Sequence, residues 1–299
     1  MRTEVILVTG AAGEMGQALI QHLSTDGQRL LRGRYTAEVG RVLFSAVAEA
    51  TLLAAWMTYD SAPESGLAQR YFIQALALAQ AADDRLLGGS ILDAMSHQAT
   101  YLGRFGEAAN LARAARTGTA GRATPTLTAH FHTMEARALA RLGDARACDL
   151  ALTEAVRTFE RRNPEDDPAW IQYVDDAELA AELGHCFRDL GRPGAATQHA
   201  SQCLGAIDET TFQRSDFFAT MVLADASLAA GEAEQACAVA LQALTAGEQI
   251  RSARCVRYLR DFQDRLTSLG DSPVISGFQE QARDSRLWRI ASQPQARVS

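Results

Sequence analysis

A glycine turn that recurs at nearly even intervals is the feature that most restricts the fold of this 299-residue chain. Four segments share one form, in which a helical stretch ends in Leu-Gly or Ala-Gly and an alanine-rich helical stretch follows: YLGRFGEAANLARAA (101–115), RLGDARACDLALTEAV (141–156), DLGRPGAATQHASQCL (189–204) and LAAGEAEQACAVALQAL (228–244). Their glycines, Gly103, Gly143, Gly191 and Gly231, are 40, 48 and 40 residues apart. Helix pairs repeated at such a period bury their apolar faces by stacking on their neighbours. The spacing therefore predicts an all-α solenoid.

The rest of the chain from about residue 36 onward also has helical character. In the segment 66–82, for example, Ala68, Phe72 and Ala79 fall on one face of a helix. A fifth helix pair is expected upstream of the four repeats, with its turn at 63–66, about 40 residues before Gly103. We therefore predict about five helix pairs in a right-handed superhelical stack, closed by a terminal capping helix.

The repeats resemble tetratricopeptide repeats in their small-residue pattern, L-G-x-x-x-x-A followed by a further alanine, although that family's usual period is shorter, at about 34 residues. Five strings also resemble, in wording and order, the C-terminal helical region of actinobacterial helix-turn-helix transcriptional regulators: RGRYTAEVGRVLFSAVAEATLLAAWMTYD, AQRYFIQALALAQAADD, AMSHQATYLGRFGEAANLARAA, DDAELAAELGHCFRDLGRP and RSARCVRYLRDFQDRL. This resemblance covers about residues 30–285 and implies a regulatory or sensing scaffold. The family's lambda-repressor-like DNA-binding domain is not found in the preceding 30 residues, so direct DNA binding by this chain is not expected.

The opening of the chain points to a different class of protein. The apolar run VILVT is followed by Gly10, Gly13 and Gly16, which resembles the start of NAD-dependent epimerases and dehydratases. Such glycines permit a tight strand-to-helix turn whose helix N-terminus receives a pyrophosphate. However, no second β-branched apolar run follows Leu23, and a chain without lysine cannot supply a Y-x-x-x-K catalytic pair. We expect a short, incomplete Rossmann-like βα segment over residues 1–31, with no cofactor.

Composition excludes several classes of function. A net charge of −7 gives no general attraction to nucleic acid or anionic membranes. The apolar opening is too short to span a membrane and runs into glycines without a signal-peptide cleavage region. The five cysteines lie far apart in alanine-rich helical stretches, where free thiols act as small apolar groups. A cytoplasmic protein is expected.

Three groups of polar residues have a composition that suggests a metal or calcium site. His130 and His132, at i and i+2 of a helix, point in different directions and cannot grip one ion together. His199 and Cys203 are better spaced, but no third or fourth ligand accompanies them, so no metal site is predicted. The acidic residues at 165–167 precede an apolar helix and are expected to cap it.

The first helix of each pair in a solenoid usually lines the concave surface, where ligands bind. We expect the ligand or partner contacts to come from its polar and aromatic residues, namely His97, Tyr101, Glu135, His185 and Arg188. A basic stripe of Arg251, Arg254, Arg257 and Arg260 has two interpretations. Arg254 and Arg257 either hold a phosphate, an acidic peptide or a partner, or pair with acidic neighbours such as those of DDAELAAE.

Together these patterns predict three parts: an incomplete Rossmann-like segment (1–31), a tetratricopeptide-like helical repeat domain (32–285) and a flexible tail (286–299). The predicted function is a non-enzymatic scaffold that binds a protein or peptide, or a small ligand, in a helical-repeat groove and is linked to transcriptional regulation. A homodimer is a further possible assembly. The alternative function is NAD binding through Gly10, Gly13 and Gly16.

Overall fold

The computed structural model describes residues 28–62, 66–205, 213–270 and 272–293. Within these ranges the regular structure is entirely helical, and no strand occurs. The predicted all-α helical-repeat fold is therefore confirmed for this part of the chain. The predicted strand VILVT, the turn containing Gly10, Gly13 and Gly16, and nearly all of the predicted Rossmann-like segment lie outside the described residues.

The chain divides into two compact units, Met1–Asp175 and Asp176–Ser299, here called unit 1 and unit 2. The described part of unit 1 contains three helix pairs, in which α2 packs on α3, α4 on α5 and α6 on α7. Two short 3₁₀ turns, Pro164–Asp166 and Ala169–Ile171, follow the third pair. The helices of unit 1 are α1 (Gln28–Leu31), α2 (Ala37–Ser61), α3 (Leu67–Ala81), α4 (Arg85–Tyr101), α5 (Phe105–Gly118), α6 (Pro125–Leu142) and α7 (Ala145–Phe159).

The described part of unit 2 contains two further helix pairs, in which α8 packs on α9 and α10 on α11. Three helices then close its C-terminal end, where a single capping helix was predicted. The helices of unit 2 are α8 (Asp176–Asp189), α9 (Pro193–Gly205), α10 (Gln213–Ala229), α11 (Ala233–Ala246), α12 (Ala253–Ser268), α13 (Pro273–Ala282) and α14 (Arg286–Ala291). The first helices of successive pairs also contact one another, α8 with α10 and α10 with α12.

The four repeated glycines form four turns of the same kind. Gly103, Gly143, Gly191 and Gly231 have φ values of 77°, 76°, 68° and 83°, in the left-handed region that favours glycine. In each turn the N–H of the following residue donates to a carbonyl five residues earlier, as in Arg104 to Ala99 and Asp144 to Leu139. This is the hydrogen-bond pattern that ends a helix with a Schellman motif. The predicted repeat of helix-ending glycines is confirmed.

Alanines fill the contacts between neighbouring helices. Ala99, Ala108, Ala109 and Ala138 form one buried cluster from α4, α5 and α6 of unit 1. In unit 2, a Cβ added to Gly184 would lie only 3.4 Å from the backbone nitrogen of Ala200. Such small side chains allow helix backbones to approach closely, which explains why the repeats are rich in alanine.

Helix α2 is the one helix in the described ranges that is long and apolar enough to cross a membrane. It packs on α3 and α4 through fully buried residues that include Ala48, Ala55 and Tyr59. An apolar core helix of a helical repeat meets the same criteria of length and hydropathy. We therefore interpret α2 as a core helix of unit 1.

The structure differs from the predicted boundaries at two places. The single helical domain predicted over 32–285 divides after Asp175 into two compact units. Residues 286–291, predicted to lie in a flexible tail, form α14, in which Leu287 and Trp288 are buried. The Trp288 ring packs edge-on against Phe278, with ring centroids 5.0 Å apart. A six-residue helix is too short to show a periodic pattern, and only this tertiary contact reveals it.

Candidate partner-binding site

Polar and aromatic side chains from three consecutive first helices meet in unit 2 around the half-buried ring of Tyr258. Helix α8 contributes two of the predicted binding residues, and α12 contributes a third. We call this group the Tyr258 cluster; its members are His185, Arg188, Asp189, Phe218, Asp225, Arg254, Tyr258 and Arg265. The structure thus brings together His185, Arg188 and Arg254, which the sequence had indicated separately.

The Tyr258 ring is held from several sides. Its hydroxyl lies 3.3 Å from Nδ1 of His185, and the Arg188 guanidinium lies 5.1 Å from its ring centroid. The Phe218 ring packs beside it, with centroids 4.8 Å apart, and the Arg254 guanidinium lies 4.6 Å from the Phe218 centroid. Guanidinium groups at these distances are attracted to the faces of aromatic rings. The ring of Tyr258 is therefore positioned before any partner binds.

Beneath this ring lies a buried ionic network. Nε and Nη2 of Arg188 donate to Oδ1 of Asp189 at 2.9 and 2.7 Å, and Nη1 lies 3.7 Å from Oδ2 of Asp225. Arg265 of α12 contacts the same Asp225 oxygen. Burial alone would lower the pKa of Arg188, but the charges of Asp189 and Asp225 outweigh burial and raise it. Arg188 stays charged and joins α8 to α10.

For Asp225, in contrast, the effect of burial on the pKa outweighs that of the neighbouring charges. Its burial raises the pKa of the carboxyl, and the neighbouring charges of Arg188 and Arg265 only partly offset that effect. An acidic group buried in the middle of a helix-helix contact needs such partners to remain in place. The Asp225 carboxylate thus links three successive first helices through two arginines.

The basic stripe of α12 divides into separate roles. Arg254 lies over Phe218, and Arg257 donates through Nε to Asp261 of its own helix at 3.0 Å. Arg260 donates to the carbonyls of Ile290 and Ala291 at 3.3 and 3.1 Å, and so holds the end of α14. Arg257, Asp261 and Arg265 are 42%, 37% and 44% exposed in their side chains. These three side chains follow one another at four-residue intervals on α12, beside Tyr258, and we call them the accessible edge of the Tyr258 cluster.

Two other predicted residues, His97 and Tyr101, lie on α4 of unit 1 in an aromatic group with α2. Nδ1 of His97 is 3.0 Å from the hydroxyl of the fully buried Tyr59, and its ring packs edge-on against Trp56 at 5.3 Å. Tyr101 packs edge-on against the same Tyr59 at 5.5 Å. Trp56, His97 and Tyr101 are half-buried, so this group forms part of the surface of the first helices in unit 1.

Glu135 is held inside unit 1 by two arginines of the preceding helix. Nε of Arg113 donates to its Oε1 at 2.6 Å, and Nη2 of Arg116 donates to its Oε2 at 3.1 Å. Both arginine side chains are about half exposed, whereas Glu135 is buried. The carboxylate therefore joins α5 to α6, and the two arginines are the groups that a partner would reach.

The histidines considered as metal ligands have other contacts. Nδ1 of His130 lies 2.8 Å from Oδ2 of Asp93 on α4, while His132 is near Arg116 and Glu135. His199 stacks on Phe187, and Cys203 is buried in an apolar cluster. No group of three or more metal-ligating side chains occurs among the described residues. The five cysteines are free and buried, as their surroundings had predicted.

The predicted capping role of the acidic residues at 165–167 was wrong for Asp167. Its carboxylate accepts a 2.6 Å hydrogen bond from the hydroxyl of Thr126 on α6, 41 residues earlier, and the residue is buried. Asn163, rather than an acidic residue, caps the short turn Pro164–Asp166. The loop is thus tied to α6 by a contact that local sequence cannot show.

Five members of the cluster were missed at the level of sequence, namely Asp189, Phe218, Asp225, Tyr258 and Arg265. Tyr258 lies within the arginine stripe, where its spacing of four residues from Arg254 places it on the same helix face. That spacing could have identified it. Phe218 and Asp225 lie in an apolar stretch of α10, and no local signal separates them from ordinary core residues.

No protein-family model matches the sequence, and a search of curated proteins found no match. The resemblance to tetratricopeptide repeats and to helix-turn-helix regulators therefore stays a prediction. The case for function depends on the helical-repeat architecture and on the geometry of the Tyr258 cluster.

Proposed function

We propose that this chain is a non-enzymatic scaffold that binds a protein or peptide partner through the first helices of its repeats. The Tyr258 cluster of unit 2 is the principal contact, and the accessible side chains near His97, Tyr101 and Glu135 in unit 1 offer further contacts. The resemblance to helix-turn-helix regulators supports a role in transcriptional regulation within the cytoplasm, with DNA contacted by another protein or domain.

The observation that carries this proposal is that His185 and Arg188 contact Tyr258, while Arg254 lies over the adjacent Phe218. These residues come from three first helices and combine a positioned aromatic ring with arginines. Tyrosine and arginine are enriched among the residues that dominate binding energy at protein interfaces. A ring already fixed by its neighbours loses little rotamer entropy on binding, which increases the affinity that its contact contributes.

Selection of peptides from a displayed random library against the purified full chain tests the proposal. Selected peptides should bind the wild type with micromolar affinity in fluorescence polarisation, and the variant Tyr258→Ala should bind them at least tenfold more weakly. Leu269→Ala is the matched control, because Leu269 is 56% exposed at the end of the same helix but lies outside the cluster. Circular dichroism checks that both variants fold. Peptides that bind Tyr258→Ala as tightly as the wild type would refute the proposal.

The alternative function, NAD binding through Gly10, Gly13 and Gly16, is carried by the glycine spacing alone. Titration of the full chain with NADH, followed by nucleotide fluorescence, tests it directly. Micromolar binding that Gly13→Val abolishes would replace the scaffold proposal. Direct DNA binding is tested by a mobility shift at low salt, where a sequence-independent electrostatic complex would be strongest.

A further inference from the structure

We propose that the accessible edge of the Tyr258 cluster binds an extended acidic segment of a partner, in which two carboxylate side chains lie at positions i and i+4. The inference rests on the proposed scaffold function and specifies the chemistry of its partner. It comes from the charges and the arginine spacing of α12.

The buried charges of the network balance one another, whereas its exposed charges are positive in sum. The side chains of Asp189 and Asp225 are only 6% and 3% exposed, and the similarly buried Arg188 and Arg254 offset their charges. Arg257 and Arg265, in contrast, are 42% and 44% exposed. Asp261 is the one carboxylate of this group at the surface, and Arg257 neutralises it. The edge therefore presents positive charge to a partner, in a chain whose net charge is −7.

The two exposed arginines are spaced for an extended segment. Arg257 and Arg265 are eight residues apart on α12, or about 12 Å along the helix axis. In an extended chain, residues i and i+4 lie about 13 Å apart and project to the same side. Two acidic side chains at these positions can each reach one arginine. Adjacent acidic residues would project to opposite sides and could not.

Tyr258 adds an apolar surface at one end of this edge. It follows Arg257 directly, about 1.5 Å further along the helix axis, and its half-buried ring is backed by Phe218 and Arg188. The remaining ring surface suits an apolar or aromatic side chain of the segment near the acid that pairs with Arg257.

Three labelled synthetic peptides of equal length test this pattern by fluorescence polarisation. The first has the core Glu-Thr-Leu-Thr-Glu, the second replaces both Glu by Gln, and the third places the two Glu side by side after Leu. We expect the first to bind the full chain with micromolar affinity, and the second and third to bind about tenfold more weakly. Raising the salt from about 50 to 300 mM should weaken the first peptide alone, because exposed ion pairs are screened.

Variants of the Arg257–Asp261 ion pair should change the affinity for the first peptide in opposite directions. Arg257→Gln should weaken the first peptide by about threefold to tenfold, because one charged contact is lost. Asp261→Asn should strengthen it by a similar factor, since it removes both the competitor for Arg257 and the like charge. Arg283→Gln is the matched control, because Arg283 forms an exposed pair with Glu280 on α13, away from the cluster. Arg265 is less suitable, as it also neutralises the buried Asp225.

The acidic-segment proposal is overturned if the folded chain does not bind the first peptide, or if it binds the Gln peptide equally well. It is also overturned if Asp261→Asn and Arg283→Gln change affinity alike. The library selection separates this failure from failure of the scaffold function. Library peptides that depend on Tyr258 but lack acidic residues would leave the scaffold function standing and refute the acidic pattern.

Discussion

Arg265 of α12 contacts the buried carboxylate of Asp225 on α10, 40 residues earlier in the chain. Arg188 of α8 approaches the same carboxylate oxygen at 3.7 Å. One acidic side chain therefore connects the first helices of three successive layers of unit 2. The raised pKa of Asp225 shows that this arrangement does not fully compensate the burial of its charge.

The variant Asp225→Asn should therefore be tolerated better than the loss of the side chain. Asparagine keeps the shape and one hydrogen-bond acceptor while removing a charge that burial disfavours, so we expect a loss of about 1 kcal/mol or less in the free energy of unfolding. Asp225→Ala should cost about 3 kcal/mol, because it leaves a gap and removes the acceptor for two arginines. Urea denaturation at pH 7 measures both, and equal losses would contradict this account.

The stability difference between the wild type and Asp225→Asn should depend on pH. Burial raises the pKa of Asp225 above its ordinary value of 3.8, so the folded state binds the proton more tightly than the unfolded state. The contribution of Asp225 to stability is then greatest below pH 3.8 and declines as the pH rises through the raised pKa. Urea denaturation at a series of pH values should show wild type losing stability relative to Asp225→Asn over this interval. A constant difference would show that the pKa is not raised.

His132 of α6 should titrate below its ordinary pKa of 6.5. Burial lowers its pKa, the charge of Arg116 lowers it further, and Glu135 partly opposes both. The folded state therefore binds the proton less tightly, and its stability falls as the pH decreases from 6.5 through the lowered pKa. NMR titration of the imidazole measures the value directly. Arg116→Gln should raise it, whereas Arg122→Gln, in the loop before α6, should leave it unchanged.

The fold of the repeats could be predicted because its signals are local. Gly103 and Gly143 each end a helix through their own backbone conformation. Such a turn can be recognised from the few residues around the glycine. Helix α14 was missed because its stability comes from Trp288 packing on Phe278, which only the folded chain brings together. The division after Asp175 likewise depends on tertiary contacts within each unit, and no composition change marks that position.

The candidate site could be predicted only in part, for a related reason. His185 and Arg188 were found because they lie on the first helix of a recognisable pair. Their contacts with Tyr258 and Asp225 span 73 and 37 residues of sequence and depend on how successive first helices are rotated against each other. The spacing of side chains within one helix does not reveal how neighbouring helices are rotated. Asp167, which bonds to Thr126 instead of capping a helix, is a second example.

The pair Asp93–His130 should join α4 to α6 in unit 1 with a measurable coupling energy. Nδ1 of His130 and Oδ2 of Asp93 are 2.8 Å apart, and both side chains are less than a tenth exposed. We expect each of Asp93→Asn and His130→Gln to lower the free energy of unfolding by about 2 kcal/mol, because each weakens the contact of the other, buried polar side chain. The double variant should lose about 1 kcal/mol less than the sum of the two. Strict additivity in urea denaturation would show that the two residues contribute independently.

Two glycines of unit 2 should respond to alanine with opposite signs. Gly231 ends α10 at a φ of 83°, while Gly277 lies inside α13, and a Cβ at either position would have no atom within 4 Å. Since neither substitution causes a clash, the backbone alone decides the outcome. Gly231→Ala forces alanine into the left-handed region and should cost about 1–2 kcal/mol. Gly277→Ala should gain about 0.5–1 kcal/mol, because alanine favours the helix and restricts the unfolded chain. Urea denaturation measures the free energy of unfolding of both variants. An unchanged value for Gly231→Ala would show that its turn can rearrange at no cost.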